Sequence, residues 1–136
     1  MVENNRFHFE LVSPAKKLME EPAFQVVIPG ETGYVGVRKG HASLVLSVRP
    51  GVVEILKTKD SQPEKFFIAG GFADITADNC TLLAEETMSL NELDKDLLVQ
   101  QQKDLKEDVQ SAKDDIERAR YTRKLTVVEA KLHALK

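Results

Sequence analysis

Histidine, serine, cysteine and glycine-rich segments are where a chain of this kind would carry chemistry, and here they are few. The three histidines are far apart: His8 in an alternating stretch, His41 in the turn Gly40-His41-Ala42-Ser43, and His133 near the end. His41 with Ser43 is the one close His/Ser pairing, and no third group stands at a spacing that would activate the serine. The pair is expected to serve a turn or a contact. Three scattered histidines and the single Cys80 show no metal-ligand spacing, and the acidic pairs do not form a calcium loop. The run Ile28-Pro29-Gly30-Glu31-Thr32-Gly33-Tyr34-Val35-Gly36 is rich enough in glycine to cradle an anion, but no Gly-Lys-Ser/Thr follows it. It opens into strand pattern rather than a helix, so its glycines are expected at turns and a bulge. Arg118, Arg120, Arg123 and Lys124 gather positive charge in an otherwise acidic region. They read either as a solvated helix face or as a patch for an acidic partner surface.

The elements that position these residues fall into two halves. All seven glycines and all five prolines precede Thr87, and 88–136 contains neither. Gly and Pro punctuate turns, so many short elements are expected first and long uninterrupted ones afterwards. Phe7-His8-Phe9-Glu10-Leu11 alternates apolar and polar, as a half-buried strand does. Similar segments run over 24–28, 34–37, 43–48, 52–57, 65–69, 72–76 and 80–84, separated by turn-rich stretches such as Arg49-Pro50-Gly51 and Gly70-Gly71. Short strands every ~8–12 residues predict an all-β sandwich or barrel. Cys80 is expected in its core, as are Phe66, Phe67 and Phe72 around the two glycines.

Beyond Thr87 the spacing turns helical. Leu90, Leu93 and Leu97, with Leu98 beside them, form one stripe; Tyr121, Leu125, Val128, Leu132 and Leu135 form another. The stretch 100–113 between them is polar. As a single rod, some 45 residues would reach about 70 Å. A start signal, Ser111 with Asp114 three residues on, places a hinge over 108–113 and predicts two antiparallel helices. The expected domains are therefore a sandwich over 1–87 and a helical hairpin over 88–136.

Bulk composition narrows the partners. A net charge of −3 gives no electrostatic reason to expect nucleic acid. One cysteine excludes an internal disulfide framework and fits a reducing compartment. The start, Met1-Val2-Glu3-Asn4-Asn5-Arg6, has no apolar core and does not read as a secretory signal. No stretch approaches the roughly 20 apolar residues of a membrane-spanning helix. Membrane association is expected only through a partner.

An ordered series of segments carries a resemblance. Phe9-Glu10-Leu11-Val12-Ser13-Pro14 comes first, then Val27-Ile28-Pro29-Gly30-Glu31-Thr32-Gly33-Tyr34-Val35-Gly36, Gly40-His41-Ala42-Ser43-Leu44 and Arg49-Pro50-Gly51. Phe67-Ile68-Ala69-Gly70-Gly71-Phe72-Ala73-Asp74-Ile75 and Thr81-Leu82-Leu83-Ala84-Glu85 complete it. Together they resemble the epsilon subunit of F-type ATP synthases, called delta in mitochondria, over Phe7 to about Glu86. The remainder matches by length and helical character.

The resemblance implies a ten-stranded β-sandwich followed by an antiparallel two-helix hairpin, and a rotor subunit without catalysis of its own. In that family the sandwich packs on the gamma subunit and the ring of membrane c subunits, coupling proton flow to ATP synthesis. Ser13, Tyr34 and His41 match positions near those contacts, although relatives often carry an acidic residue at the Tyr34 position. The helices of many bacterial members extend along gamma and inhibit ATP hydrolysis, reaching the catalytic alpha and beta subunits. The cluster from Arg118 to Lys124 is compatible with such a contact to an acidic segment of beta. Some relatives bind ATP through an Ile/Leu-Asp-x-x-Arg-Ala motif. Here Leu93-Asp94-Lys95-Asp96-Leu97-Leu98 keeps Asp94 but has Leu97 in place of the arginine. A leucine cannot pair with phosphate, so weak or no ATP binding, and no other cofactor, is expected. The implied location is peripheral, on the cytoplasmic face of the bacterial inner membrane. A second reading, a free-standing interaction module that clamps through its helices, predicts that deleting 88–136 abolishes partner binding. A third, a nucleotide sensor, requires ATP affinity.

Overall fold

The computed structural model describes residues 5–136; the first four residues, with which the amino-terminal start begins, lie outside them. One compact unit runs to Met88 and a second from Ser89 to Lys136.

The first unit holds the strands β1 (Phe7–Val12), β2 (Lys17–Ala23), β3 (Gln25–Gly30), β4 (Gly33–Arg38), β5 (Leu44–Val48), β6 (Gly51–Leu56), β7 (Glu64–Ile68), β8 (Gly71–Ile75), β9 (Asn79–Ala84) and β10 (Thr87–Ser89). Their hydrogen-bonded order is β10-β7-β6-β3-β5-β8-β9-β1-β2, with β4 paired to β3. The pairs β1–β2, β3–β4, β3–β5, β3–β6, β5–β8, β6–β7 and β8–β9 are antiparallel, whereas β1 runs parallel to β9. Alternation decides the faces. Phe7, Phe9 and Leu11 point inward with Val26, Ile28, Val53, Ile55, Ile75, Cys80 and Leu82, and strands from the whole length of the path share one core. The sheet thus bends over its own apolar face into a sandwich, the only way for that row to leave water. Where the two ends approach, Lys57 bridges Glu21 of β2 (3.4 Å) and Glu64 of β7 (3.1 Å).

Eight of the ten strands fall on the segments expected from the sequence. The other two, β2 and β10, lie at the ends of the path. In β2 the inward parity falls on Met19, Glu21 and Ala23, opposite Leu11, Phe9 and Phe7; the carboxylate in that row hides the alternation.

Phe72 corrects an expectation. Phe67 is fully buried and Phe66 packs against the core, but Phe72 is 56% exposed. Ala73 and Ile75 take the inward positions of β8, so Phe72 between Gly71 and Ala73 has outward parity. Cys80 is in the core as expected, and burial pushes its thiol up to about 12, with the Asp74 charge adding to the shift. It is held as an inert thiol at neutral pH.

In the second unit a short 3-10 turn (Leu90–Glu92) precedes α1 (Lys95–Gln110) and α2 (Asp115–Ala134). Leu90 and Leu93 therefore stand before the helix, and Leu97 is exposed; the buried residue of α1 is Leu98. Counting from it, Gln102, Leu105 and Val109 are partly buried at steps of 4, 3 and 4, a seam carried through the segment that reads as merely polar. On α2, Val128 is buried with Tyr121, Leu125 and Leu132 half-buried on the same stripe, whereas Leu135 is the exposed C-cap. The Gln102 amide donates to Glu129 Oε2 (3.1 Å) between the two helices.

The cap of α2 lies three residues beyond the expected one. Ser111 closes α1, its hydroxyl donating to the Glu107 carbonyl at 2.9 Å. Asp114 is the N-cap of α2, accepting from the Glu117 amide at 2.7 Å, while Glu117 Oε1 accepts from the Lys113 amide at 3.2 Å. This reciprocal pair satisfies one donor of the first turn and the amide just before the cap. Asp114→Ala is expected to cost the hairpin about 1 kcal/mol. Amide exchange in the first turn of α2 should then speed about fivefold; unchanged exchange there would show that the cap contributes nothing.

Candidate interaction surfaces

Register identifies the residues that share the outer face of β5-β8-β9-β1. Ser47 pairs with Phe72, Phe72 with Leu83, and Leu83 with Val12, forming one row across four strands. Phe72 and Leu83 are 56% and 48% exposed, side by side. A cleft of about 140 Å³ lined by Pro14, Gly71, Phe72, Leu83, Ala84 and Glu85 adjoins them. Val45, also exposed, stands in the next row opposite Asp74. Two large apolar residues paired in register on a solvated sheet face, beside a concave apolar strip, form a surface suited to a protein partner. Composition alone did not reveal it; the parity of β8 and β9 does.

The sequence-selected residues divide between the two ends of the sandwich. Ser13 follows β1, and Tyr34 sits in β4 beside the Gly30–Gly33 hairpin, which pairs with Val48 and so joins the end of the sheet marked by Gly71 and Ala84. His41 lies beyond the other end of β4, where Gly40 donates to the Ala77 carbonyl (2.7 Å) in the β8–β9 turn. Ser13 and Tyr34 thus share an end, and His41 stands at the opposite one. The Ser13 hydroxyl is held within its own turn, donating to the Lys16 carbonyl (3.1 Å) and accepting from the Lys16 amide (3.2 Å). Tyr34 is 57% exposed with the Arg49 guanidinium 4.9 Å over its ring, and Arg49 Nε also donates to the Gly30 carbonyl (3.1 Å). A cation on the ring face keeps Tyr34 upright at the surface without a carboxylate. His41 Nδ1 bonds the Ala42 carbonyl (2.7 Å), a turn contact with the residue before Ser43.

On α2 Arg118, Arg120, Arg123 and Lys124 are all exposed. At roughly 100° per residue, Arg120, Arg123 and Lys124 share one arc of the helix. Arg118 faces elsewhere and bonds Asp115 at 2.8 Å. The basic patch is thus three residues, not four. Asp94 caps α1, accepting from the Leu97 amide at 3.2 Å. That carboxylate is engaged in holding the helix start, and the Leu97 side chain extends into solvent.

One group escaped the sequence reading altogether. His8 and Glu10, on one face of β1, meet Glu20 from β2, and a ligating atom of each lies within 4.8 Å of the others. His8-x-Glu10 has the strand spacing for a shared face, but the third member sits on the strand whose alternation is hidden.

Comparison with known proteins places this geometry. The family described as ATP synthase, Delta/Epsilon chain, beta-sandwich domain matches residues 6–89, and the C-terminal domain family of the ATP synthase epsilon chain matches 94–136. The chain is 40% identical over 132 residues to the ATP synthase epsilon chain of Rhodospirillum centenum, covering 94% of this chain and 90% of the relative. It is likewise 40% identical over 129 residues to that of a Chelativorans species, covering 93% and 95%. Among solved structures, a chain of the Euglena gracilis mitochondrial ATP synthase shares the fold with a TM-score of 0.86 at 24% identity, over 96% of this chain and 82% of that one. A sandwich, a helical hairpin, and family matches spanning both units lead to one assignment: the chain belongs to the ATP synthase epsilon chain family.

Proposed function

We propose that this chain, a non-catalytic subunit of the multisubunit ATP synthase, completes the rotor's central stalk and passes ring rotation toward the catalytic head. The observation that carries the reading is the Phe72–Leu83 pair, exposed in register on one outer sheet face beside an apolar cleft, with Val45 exposed one row away. Burying it against the gamma subunit would recover roughly 1.5–3 kcal/mol per side chain. The end carrying Ser13 and Tyr34 faces the c-ring, where an exposed ring and a self-contained turn offer polar contacts without a large apolar core. Location follows from assembly: the chain is held peripherally at the cytoplasmic face of the bacterial inner membrane. Among the described residues no helix is long and apolar enough to cross a membrane.

The hairpin suits a part that restrains ATP hydrolysis. Its helices contain only two buried side chains, Leu98 and Val128, and a polar Gln102–Glu129 bond crosses the seam. Such a seam is weak enough for a groove on a partner to replace. Arg120, Arg123 and Lys124 then meet an acidic segment of the catalytic subunits. The test is a pull-down with the gamma subunit from the same source, using the whole chain and a chain ending at Met88. Both should bind gamma, and reconstituted complexes with the shorter chain should hydrolyse ATP faster. Failure of the whole chain to bind gamma removes the rotor assignment; equal hydrolysis by both complexes removes the inhibitory role.

A further inference from the structure

We propose that His8, Glu10 and Glu20 form a binding site for a divalent transition metal, Zn²⁺ above all, that braces the edge strand β2 against β1.

The site follows from strand geometry. His8 and Glu10 are two apart on β1 and project to the same outer face. Glu20 is the direct cross-strand neighbour of Glu10. Two carboxylates placed opposite each other in an antiparallel pair repel and cost stability unless a cation lies against them. Lys17 supplies one positive charge, leaving the group at net −1 when His8 is neutral, the form in which an imidazole ligates metal.

The atoms are divided between two sides of the cluster. Lys17 Nζ sits 3.4 Å from Glu10 Oε2 and 2.9 Å from Glu20 Oε1. His8 Nε2 sits by the other oxygen of each carboxylate, 3.1 Å from Glu10 Oε1 and 2.8 Å from Glu20 Oε2. One imidazole nitrogen and two carboxylate oxygens therefore converge on the side away from the lysine. In a tetrahedral zinc site with bonds of about 2.1 Å, neighbouring ligand atoms lie about 3.4 Å apart. The histidine needs to separate from the two oxygens by only about 0.3 and 0.6 Å to admit the ion. Lys17 need not leave: it holds the outer oxygens and so orients both carboxylates, as outer partners do in metal sites. Nitrogen and oxygen ligands in this ratio suit zinc and its borderline neighbours better than calcium or magnesium, which call for oxygen alone. Solvent completes the coordination, since all three side chains are partly open to water.

The test is calorimetric titration of the full chain with zinc chloride in a non-chelating buffer, repeated with cobalt(II) to read tetrahedral visible absorption. One equivalent should bind saturably, with half-saturation in roughly the micromolar range. His8→Ala should weaken that affinity at least tenfold, while His41→Ala and His133→Ala leave it unchanged. Glu20→Gln repeats the test from the other strand and should weaken binding comparably, with the variants' melting temperatures checked without metal. If either variant fails to fold, the other decides. No saturation by about 1 mM zinc, or wild-type affinity in a folded His8→Ala or Glu20→Gln variant, overturns the site.

Discussion

Gly71→Ala should cost the sandwich a large share of its stability, about 3 kcal/mol or more in urea unfolding. Gly71 opens β8 opposite Ala84 of β9, and its φ is +150°. A Cβ built there runs into the Leu83 carbonyl oxygen, with the Leu83 carbonyl carbon at 2.9 Å and the Ala84 Cα at 3.1 Å. These are backbone atoms in a paired strand, so no side chain can swing aside. Relief requires β8 to part from β9 at the point where Phe72 and Leu83 are paired. The cost adds overpacking to a backbone conformation that alanine rarely adopts. Against a typical stability of about 5–15 kcal/mol, that is roughly a fifth to more than half of the total. Gly36→Ala is the control. It lies in β4, no atom stands within 4 Å of its Cβ position, and its φ is not positive. Its effect should stay within about 1 kcal/mol. Equal urea midpoints for Gly71→Ala and the unmutated chain would mean that β8 and β9 approach each other less closely than these distances require.

How far the sequence foretells this depends on where two signals agree. In β1, β6 and β9 alternation, turn residues and apolar content coincide, and the strands are legible directly. In β2 they conflict, because Glu21 occupies an inward position and is held there by Lys57 from β6's end of the fold. Nothing local to residues 17–23 announces that partner. The same blindness hid the His8–Glu10–Glu20 group, whose third member is on that strand. Phe72 shows a different failure: its parity against Ala73 and Ile75 was readable, but aromatic type was weighed above position. In the helices, two start signals compete, Ser111 with Asp114 and Asp114 with Glu117. Both satisfy the spacing of a cap, and only the second has a carboxylate long enough to reach back to the preceding amide. Residues proposed to face a partner are the least legible of all. Ser13, Tyr34 and His41 came from ordered motifs alone, because a contact surface obeys the partner's shape rather than the chain's own periodicity.

That surface yields the second large effect. Phe72→Glu combined with Leu83→Glu should weaken binding to the gamma subunit by at least a hundredfold, with the fold intact. The two residues stand opposite each other across β8 and β9 on the solvent side, so replacing them removes no packing from the core. Circular dichroism of the variant should match that of the parent, and its melting temperature should fall only slightly, because two carboxylates now stand opposite each other across β8 and β9. At the interface the balance differs. Central apolar contacts typically contribute about 2 kcal/mol or more each. Exchanging them for carboxylates adds the cost of stripping water from two charges that find no partner on an apolar face. The losses need not add, because the side chains are neighbours and share contacts; even one in full, with the charge penalty, reaches two orders of magnitude. Thr81→Glu, on the same face one row away beside Asp74, separates a general effect of negative charge from loss of the apolar pair. If it weakens binding as much as the double variant does, the contact is electrostatic and spread over the sheet. If the double variant binds gamma like the parent, the stalk is engaged through another surface, and the exposed phenylalanine needs a different explanation.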